Sequence, residues 1–185
     1  MKQKHIMILA MLVMALAACK GHKEKETMEL LQAAEVDTVT HSMMACDYPD
    51  SVRAWNSLVT YNIHREPCDS LPVVTDQYGT KYKDNLFVLT INRGEQTLLK
   101  RMFTKNDFTS MMTKEFREHG MFDGFRCKGY EDGTLIFGTC VSYPESDMSQ
   151  PFLVKVRQDG SVSIEVDKTP VNENPADSCI DEEGV

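Results

Sequence analysis

Four short segments ending in glycine constrain this chain more than any other feature: Gln77-Tyr78-Gly79, Asn92-Arg93-Gly94, Glu131-Asp132-Gly133 and Gln158-Asp159-Gly160. Each lies between runs of apolar and polar residues, and each places glycine third. In a three-residue hairpin loop that position is left-handed, a conformation glycine adopts without steric cost. The apolar pattern tests this register at the last of the four. A three-residue loop sets Val156 opposite Val162, Val154 opposite Ile164 and Phe152 opposite Val166. A two-residue loop would set Val154 against Glu165 and scatter the apolar side chains over both faces. The three-residue register is therefore expected.

The segments between the turns read as strands. In 57–64, Val59, Tyr61 and Ile63 alternate with Thr60, Asn62 and His64. Segment 86–92 is apolar on both faces and suits a central strand. Segments 96–103, 134–143, 151–157 and 161–167 follow, with a weaker candidate at 122–130, which contains Gly124 and Gly129. One helix interrupts them, from about Asn106 to His119. Phe108, Met111, Met112 and Phe116 share one helical face, Thr104 and Asp107 have the spacing of a capping box, and Gly120 suits a left-handed stop. Met102, Met111, Met112 and Met121 are expected to fill the core beside it. The fold class expected is mainly β (α+β): a curved antiparallel sheet or partial barrel of about seven or eight strands with one packed helix. A two-layer sandwich is the competing architecture.

The N-terminus has its own pattern. Lys2 and Lys4 precede an uninterrupted apolar run from Ile6 to Ala18, the n-region and h-region of a secretory signal. That run falls short of the ~20 residues a helix needs to span a bilayer. It ends in Leu16-Ala17-Ala18-Cys19, which resembles the lipobox of bacterial lipoproteins. The resemblance implies diacylglyceryl attachment to the Cys19 sulfur and cleavage after Ala18; an ordinary signal peptide with an incidental cysteine is the plainer alternative. The organisation expected is a lipoprotein signal peptide over 1–18, a lipidated tether over 19–50, an antiparallel β domain over 51–170 and an acidic disordered tail over 171–185.

The net charge of −8 is unevenly placed. Residues 20–50 carry −4, residues 51–170 carry −1 and residues 171–185 carry −5. A nearly neutral body has no basic stripe with which to neutralise phosphates, so nucleic acid is not expected as a partner.

Besides Cys19 there are Cys46, Cys68, Cys127, Cys140 and Cys179. Cys46 with Cys68 is the candidate disulfide. Cys127 and Cys140 share a hairpin, but the register sets Cys127 opposite Phe137 and turns Cys140 to the other face, where no bridge can form. The run His41-Ser42-Met43-Met44-Ala45-Cys46 gathers soft ligands that suit copper(I), yet its spacing matches no standard metal site and it reads as incidental tether composition. His64 and Cys68 alone are too few ligands for zinc. His119, at a helix end, suits the helix dipole better than general-base duty. No nucleophile-elbow or cysteine–histidine signature appears. No catalytic residue, metal site or cofactor is assigned.

The whole pattern resembles the small lipoproteins of unknown function common in Bacteroidota. The lipobox ending at Cys19, the segment Asp76–Asn85 and the segment Phe103–Phe108 carry the resemblance, which spans roughly residues 70–160. It implies a class and no activity. Lys20 follows Cys19 where an acidic surface-export run would stand in that group, which favours the outer membrane facing the periplasm. The function expected is a membrane-anchored, non-enzymatic binding or assembly accessory of the cell envelope. A binder of a small apolar ligand is the second reading, and an enzyme with a site invisible in sequence is the third. The partners expected are the membrane, through Cys19, and an envelope protein or small apolar ligand.

Overall fold

The computed structural model describes residues 39–169. The signal segment, Cys19 and the acidic tail lie outside these residues. The described chain is mainly antiparallel β, as the alternation and turns require. Eight long strands divide equally between two sheets, and no closed barrel forms. One sheet has the order β2-β3-β6-β7, from Cys46–Ala54, Ser57–Pro67, Asn85–Arg93 and Gln96–Thr104. The other has the order β11-β10-β9-β8, from Val162–Val166, Ser149–Arg157, Thr134–Ser142 and Met121–Glu131. A small third sheet joins β1 (Thr40–His41), β5 (Lys81–Tyr82) and β4 (Val74–Thr75), with β1 parallel to β5.

One apolar core lies between the two large sheets. Val59, Tyr61, Ile63, Phe87, Leu89 and Ile91 enter it from the first sheet, and Leu135, Phe137, Phe152, Val154 and Val156 from the second. Seven of the eight phenylalanines belong to it. Their rings meet across the layers, Tyr61 edge-on to Phe137 at 5.5 Å and Phe87 edge-on to Phe122 at 4.9 Å, the arrangement that ring quadrupoles favour. Strand β6 takes the central place expected of it, with Val88 half-buried on the outer face. Met102, expected in the core, is instead 56% exposed, because the β7 register turns Phe103 inward and its neighbour out.

The turns are of two kinds. The last hairpin has the predicted register, Val156 with Val162, Val154 with Ile164 and Phe152 with Val166. The 77–79 loop is also three residues long, closed by the Asp76 N–H on the Thr80 carbonyl at 3.0 Å. The middle two loops have two residues. Arg93 pairs with Gln96, which makes the loop Gly94-Glu95, and a bulge after Ile91 then sets Ile91 opposite Leu99. Glu131 pairs with Thr134 around Asp132 and Gly133, both left-handed. Cys127 nevertheless faces Phe137 as expected, because a bulge between Cys127 and Gly129 offsets the shorter loop. In both hairpins the apolar register is kept and the irregularity moves into a bulge.

The chain is ordered into strands before the expected boundary at residue 51. Residues 46–50 of β2 fall within the expected tether; the strand is a sheet edge, mostly exposed and interrupted by Pro49, which an edge strand tolerates. The expected continuous helix is also corrected. A 3-10 helix runs Lys105–Met111, the chain extends at Met112 and Thr113, and α1 runs Lys114–His119. Gln150 of β10 causes the break: its Nε2 donates to the Met111 carbonyl at 2.9 Å, and its Oε1 accepts the Thr113 N–H at 3.3 Å. A side chain from the sheet thus takes the place of intrahelical bonds. Phe108 still enters the core, against Phe122 and Phe152. Phe116 is only half-buried and stacks on Tyr143 at 4.6 Å.

Gly120 is not a left-handed stop, since its φ is −84°. A Cβ there would lie 2.5 Å from Val141 Cγ1 and 2.6 Å from the Phe116 carbonyl oxygen. Glycine is required by the close approach of the helix end to β9. Among the described residues no helix is long and apolar enough to cross a membrane.

Candidate ligand groove

The β2–β3 and β8–β9 turns are joined at one end of the two sheets. At the other end, beside Cys46, Arg65, Met121 and Ser142, lies a groove of about 880 Å³. One wall is the segment 41–48, contributing His41, Met43, Met44, Cys46 and Tyr48; Tyr82 and Lys83 continue it. The facing wall is Met121 and Asp123 of β8, Ser142 of β9 and the loop Tyr143–Ser146. Arg65 also lines the groove, its guanidinium 5.8 Å from the Tyr48 ring centroid.

A buried polar knot positions this end of the molecule. The Asp84 carboxylate, 1% exposed, accepts the backbone N–H of Phe122 at 2.7 Å and of Asn85 at 2.9 Å. Lys105 Nζ lies 3.5 Å from the same carboxylate and donates to the Gly120 carbonyl at 2.6 Å. Asn85 Nδ2 donates to the Phe122 carbonyl at 2.9 Å and to Met43 Sδ at 3.2 Å. The knot therefore ties the start of β6, the start of β8, the 3-10 helix and the groove wall together. Burial raises the Asp84 carboxyl above its ordinary range, against the opposing pull of Lys105 and the two backbone donors. The segments Asp76–Asn85 and Phe103–Phe108 meet here, so the residues that carried the family resemblance do structural work.

Within the groove, Asp123 accepts from the Ser142 hydroxyl at 2.9 Å and the Gly124 N–H at 3.0 Å. The Tyr82 phenol is raised by burial and then by the Asp76 and Glu145 carboxylates; Tyr143 is raised by burial and by Glu115. Both stay protonated at neutral pH, and the Tyr82 hydroxyl donates to Asp76 Oδ2 at 3.5 Å. The groove is thus lined by two phenols, a guanidinium, carboxylates and several sulfur atoms, with part of its surface apolar.

The candidate disulfide is not formed: Cys46 and Cys68 are both free thiols. Cys68 Sγ lies 3.1 Å from Ser70 Oγ, and the Cys46 thiol is directed at the Asp47 carbonyl at 3.9 Å. Cys46 is held on the β2 edge opposite Arg65, whereas Cys68 lies beyond the end of β3. Cys127 and Cys140 form no disulfide either. Burial pushes the Cys127 thiol up, the reverse of what nucleophilic use requires. His64 lies on the exposed outer side of β3, Nδ1 3.0 Å from Asp47 and Nε2 3.6 Å from Glu66. His119 Nδ1 is 3.4 Å from the Thr75 carbonyl. Neither lines the groove. Sequence reasoning missed the groove because its walls come from a segment read as tether and from a loop with no motif. The one signal in the sequence was the cluster of sulfur and imidazole over 41–46.

The architecture defines a two-sheet antiparallel β domain with a ligand-sized groove at one end. The chain belongs to the DUF4738 family, a domain of unknown function whose match covers residues 25–164 and so includes the groove wall at 41–48. No curated protein matches the chain.

Proposed function

We propose that this protein is a lipid-anchored lipoprotein of the bacterial cell envelope, of the kind common in Bacteroidota, whose β domain binds a ligand in the groove without turnover chemistry. One observation carries the binding part: a groove of about 880 Å³ with donors, charges and apolar surface on facing walls, the composition expected of a small-molecule site. The anchor part is carried by Leu16-Ala17-Ala18-Cys19 after a short apolar run. Several acyl chains at Cys19 would hold the protein on the outer membrane, facing the periplasm, essentially permanently. The wall at 41–48 follows soon after the anchor in the chain, which suits a site working close to a membrane surface.

The binding reading is tested by a thermal-shift screen of the mature protein against small molecules. Compounds that stabilise the wild type and fail to stabilise Ser146→Trp, which obstructs the groove from its exposed rim, support it. Stabilisation unaffected by Ser146→Trp places binding elsewhere and overturns it. Intact mass tests the anchor: the wild type should carry acyl chains that Cys19→Ser lacks, and an unmodified Cys19 overturns that part. A second reading, a docking surface for an envelope protein, is favoured by the mixed polarity of the same groove and would leave the screen empty.

A further inference from the structure

We infer that the soft donors lining the groove take a monovalent thiophilic ion of the copper(I) class. The inference rests on the groove as the ligand site and names what it binds. Sequence alone gave the run His41 to Cys46 no partner and made it incidental. The structure places His41, Met43, Met44 and Cys46 along one groove wall and adds Met121 from β8, more than seventy residues away in sequence.

Three physical points favour such an ion. Thiolate and thioether are soft ligands that select copper(I), and imidazole is compatible with it. Among the described residues no three or more histidine, cysteine, aspartate or glutamate side chains are grouped to hold a metal, so the borderline ion zinc, which wants three or four such ligands, finds no set. Counting the thioethers brings five soft donors, His41, Met43, Met44, Cys46 and Met121, to the lining of one groove. The donors are also accessible or held: Met44 is 82% exposed, Cys46 is a free thiol, and Met43 is anchored at Sδ by Asn85 Nδ2, with the second sulfur lone pair remaining for a metal. On binding, the Cys46 S–H proton goes to solvent and the thiolate sulfur donates its electron pair to the ion. The ion enters and remains as copper(I), so no oxidant or reductant is involved.

The test is anaerobic competition between the mature full chain and a colorimetric copper(I) chelator. One ion per chain is expected. Met43→Leu/Met44→Leu, which keeps side-chain bulk while removing two sulfurs, should weaken binding by more than about tenfold, since even changes outside the ligand shell cost that much. Cys46→Ser and Met121→Leu should also weaken it, while Cys68→Ser should not. Met44 is so exposed that Met44→Leu alone cannot unfold the chain, and it provides a clean second variant. Failure to withhold copper(I), or retention insensitive to the methionine pair, overturns the inference; so does equally tight zinc(II) binding through the same residues. Groove ligands that are lost in Ser146→Trp, in a protein that binds no copper(I), would remove the metal and leave the groove reading standing.

Discussion

The Trp55 indole Nε1 donates a 2.8 Å hydrogen bond to the carbonyl of Gly133, joining the β2–β3 turn of one sheet to the β8–β9 turn of the other. Trp55 occupies a left-handed conformation with φ of 48°, strained for a bulky residue, and its ring packs edge-on to Tyr130 at 5.8 Å. Arg93 reinforces the turn by donating to the Trp55 carbonyl at 3.2 Å. The contact holds the two layers together at the end away from the groove.

Trp55→Phe keeps most of the apolar packing and removes the indole donor. It should destabilise the protein by about 1 kcal/mol, the net worth of one hydrogen bond. Chemical denaturation followed by circular dichroism checks this, since the substitution removes the only tryptophan. An unchanged midpoint would show that the clasp contributes nothing.

Gly120→Ala should destabilise by about 1–3 kcal/mol through overpacking against Val141 and the Phe116 carbonyl. Gly120→Asn separates the two explanations. Asparagine tolerates a left-handed stop, so it would be mild if conformation were the reason, and should be at least as harmful as alanine if close approach is.

Gln150→Leu should uncouple the two helical segments, because the Met111 carbonyl and Thr113 N–H lose the partners that Gln150 supplies. A loss of about 1–3 kcal/mol follows from leaving polar backbone groups poorly satisfied. Faster hydrogen exchange confined to 111–119 would report it locally.

Two carboxylates should act on stability with opposite signs of pH dependence. Asp84 has a raised folded-state pKa against a reference of 3.8, so its favourable contribution is complete below that value and is lost as pH rises through the folded pKa. At Asp167 burial acts upward, but hydrogen bonds from Lys128 and Thr169 outweigh it and the pKa is lowered from 3.8. Its contribution is present above that value and is lost as pH falls through the folded pKa. Unfolding free energies across the acidic range should therefore diverge from the wild type in opposite directions for Asp84→Asn and Asp167→Asn.

Much of the fold was legible because β structure writes a local record. Alternation in 57–64 named Val59, Tyr61 and Ile63 as inward-facing, and all three are in the core. The Asp107 carboxylate does accept the Thr104 N–H, at 2.9 Å, as the capping spacing required. What failed was what depended on distant residues. The helix pattern over 108–116 was helical in period, but no local rule could reveal that Gln150 would enter its backbone ladder. The second and third turns have two residues where three are expected, because a glycine fits either loop length and a bulge in each hairpin still sets apolar residues opposite one another.

By itself the sequence determined that the chain would build antiparallel strands around an aromatic core, because a strand's inward face is set by alternation and a turn by the few residues that enter left-handed space. It also determined the near-balance of charge over residues 51–170 and the soft-ligand run at 41–46. Only the tertiary structure decided that the strands divide into two sheets, that Gly120 serves a close approach, and that Met121 lines the same groove as His41 and Cys46. Those outcomes depend on which surfaces meet across the core. Residues far apart in the chain have no local pattern that records their contact, so the groove is defined only once the chain is folded.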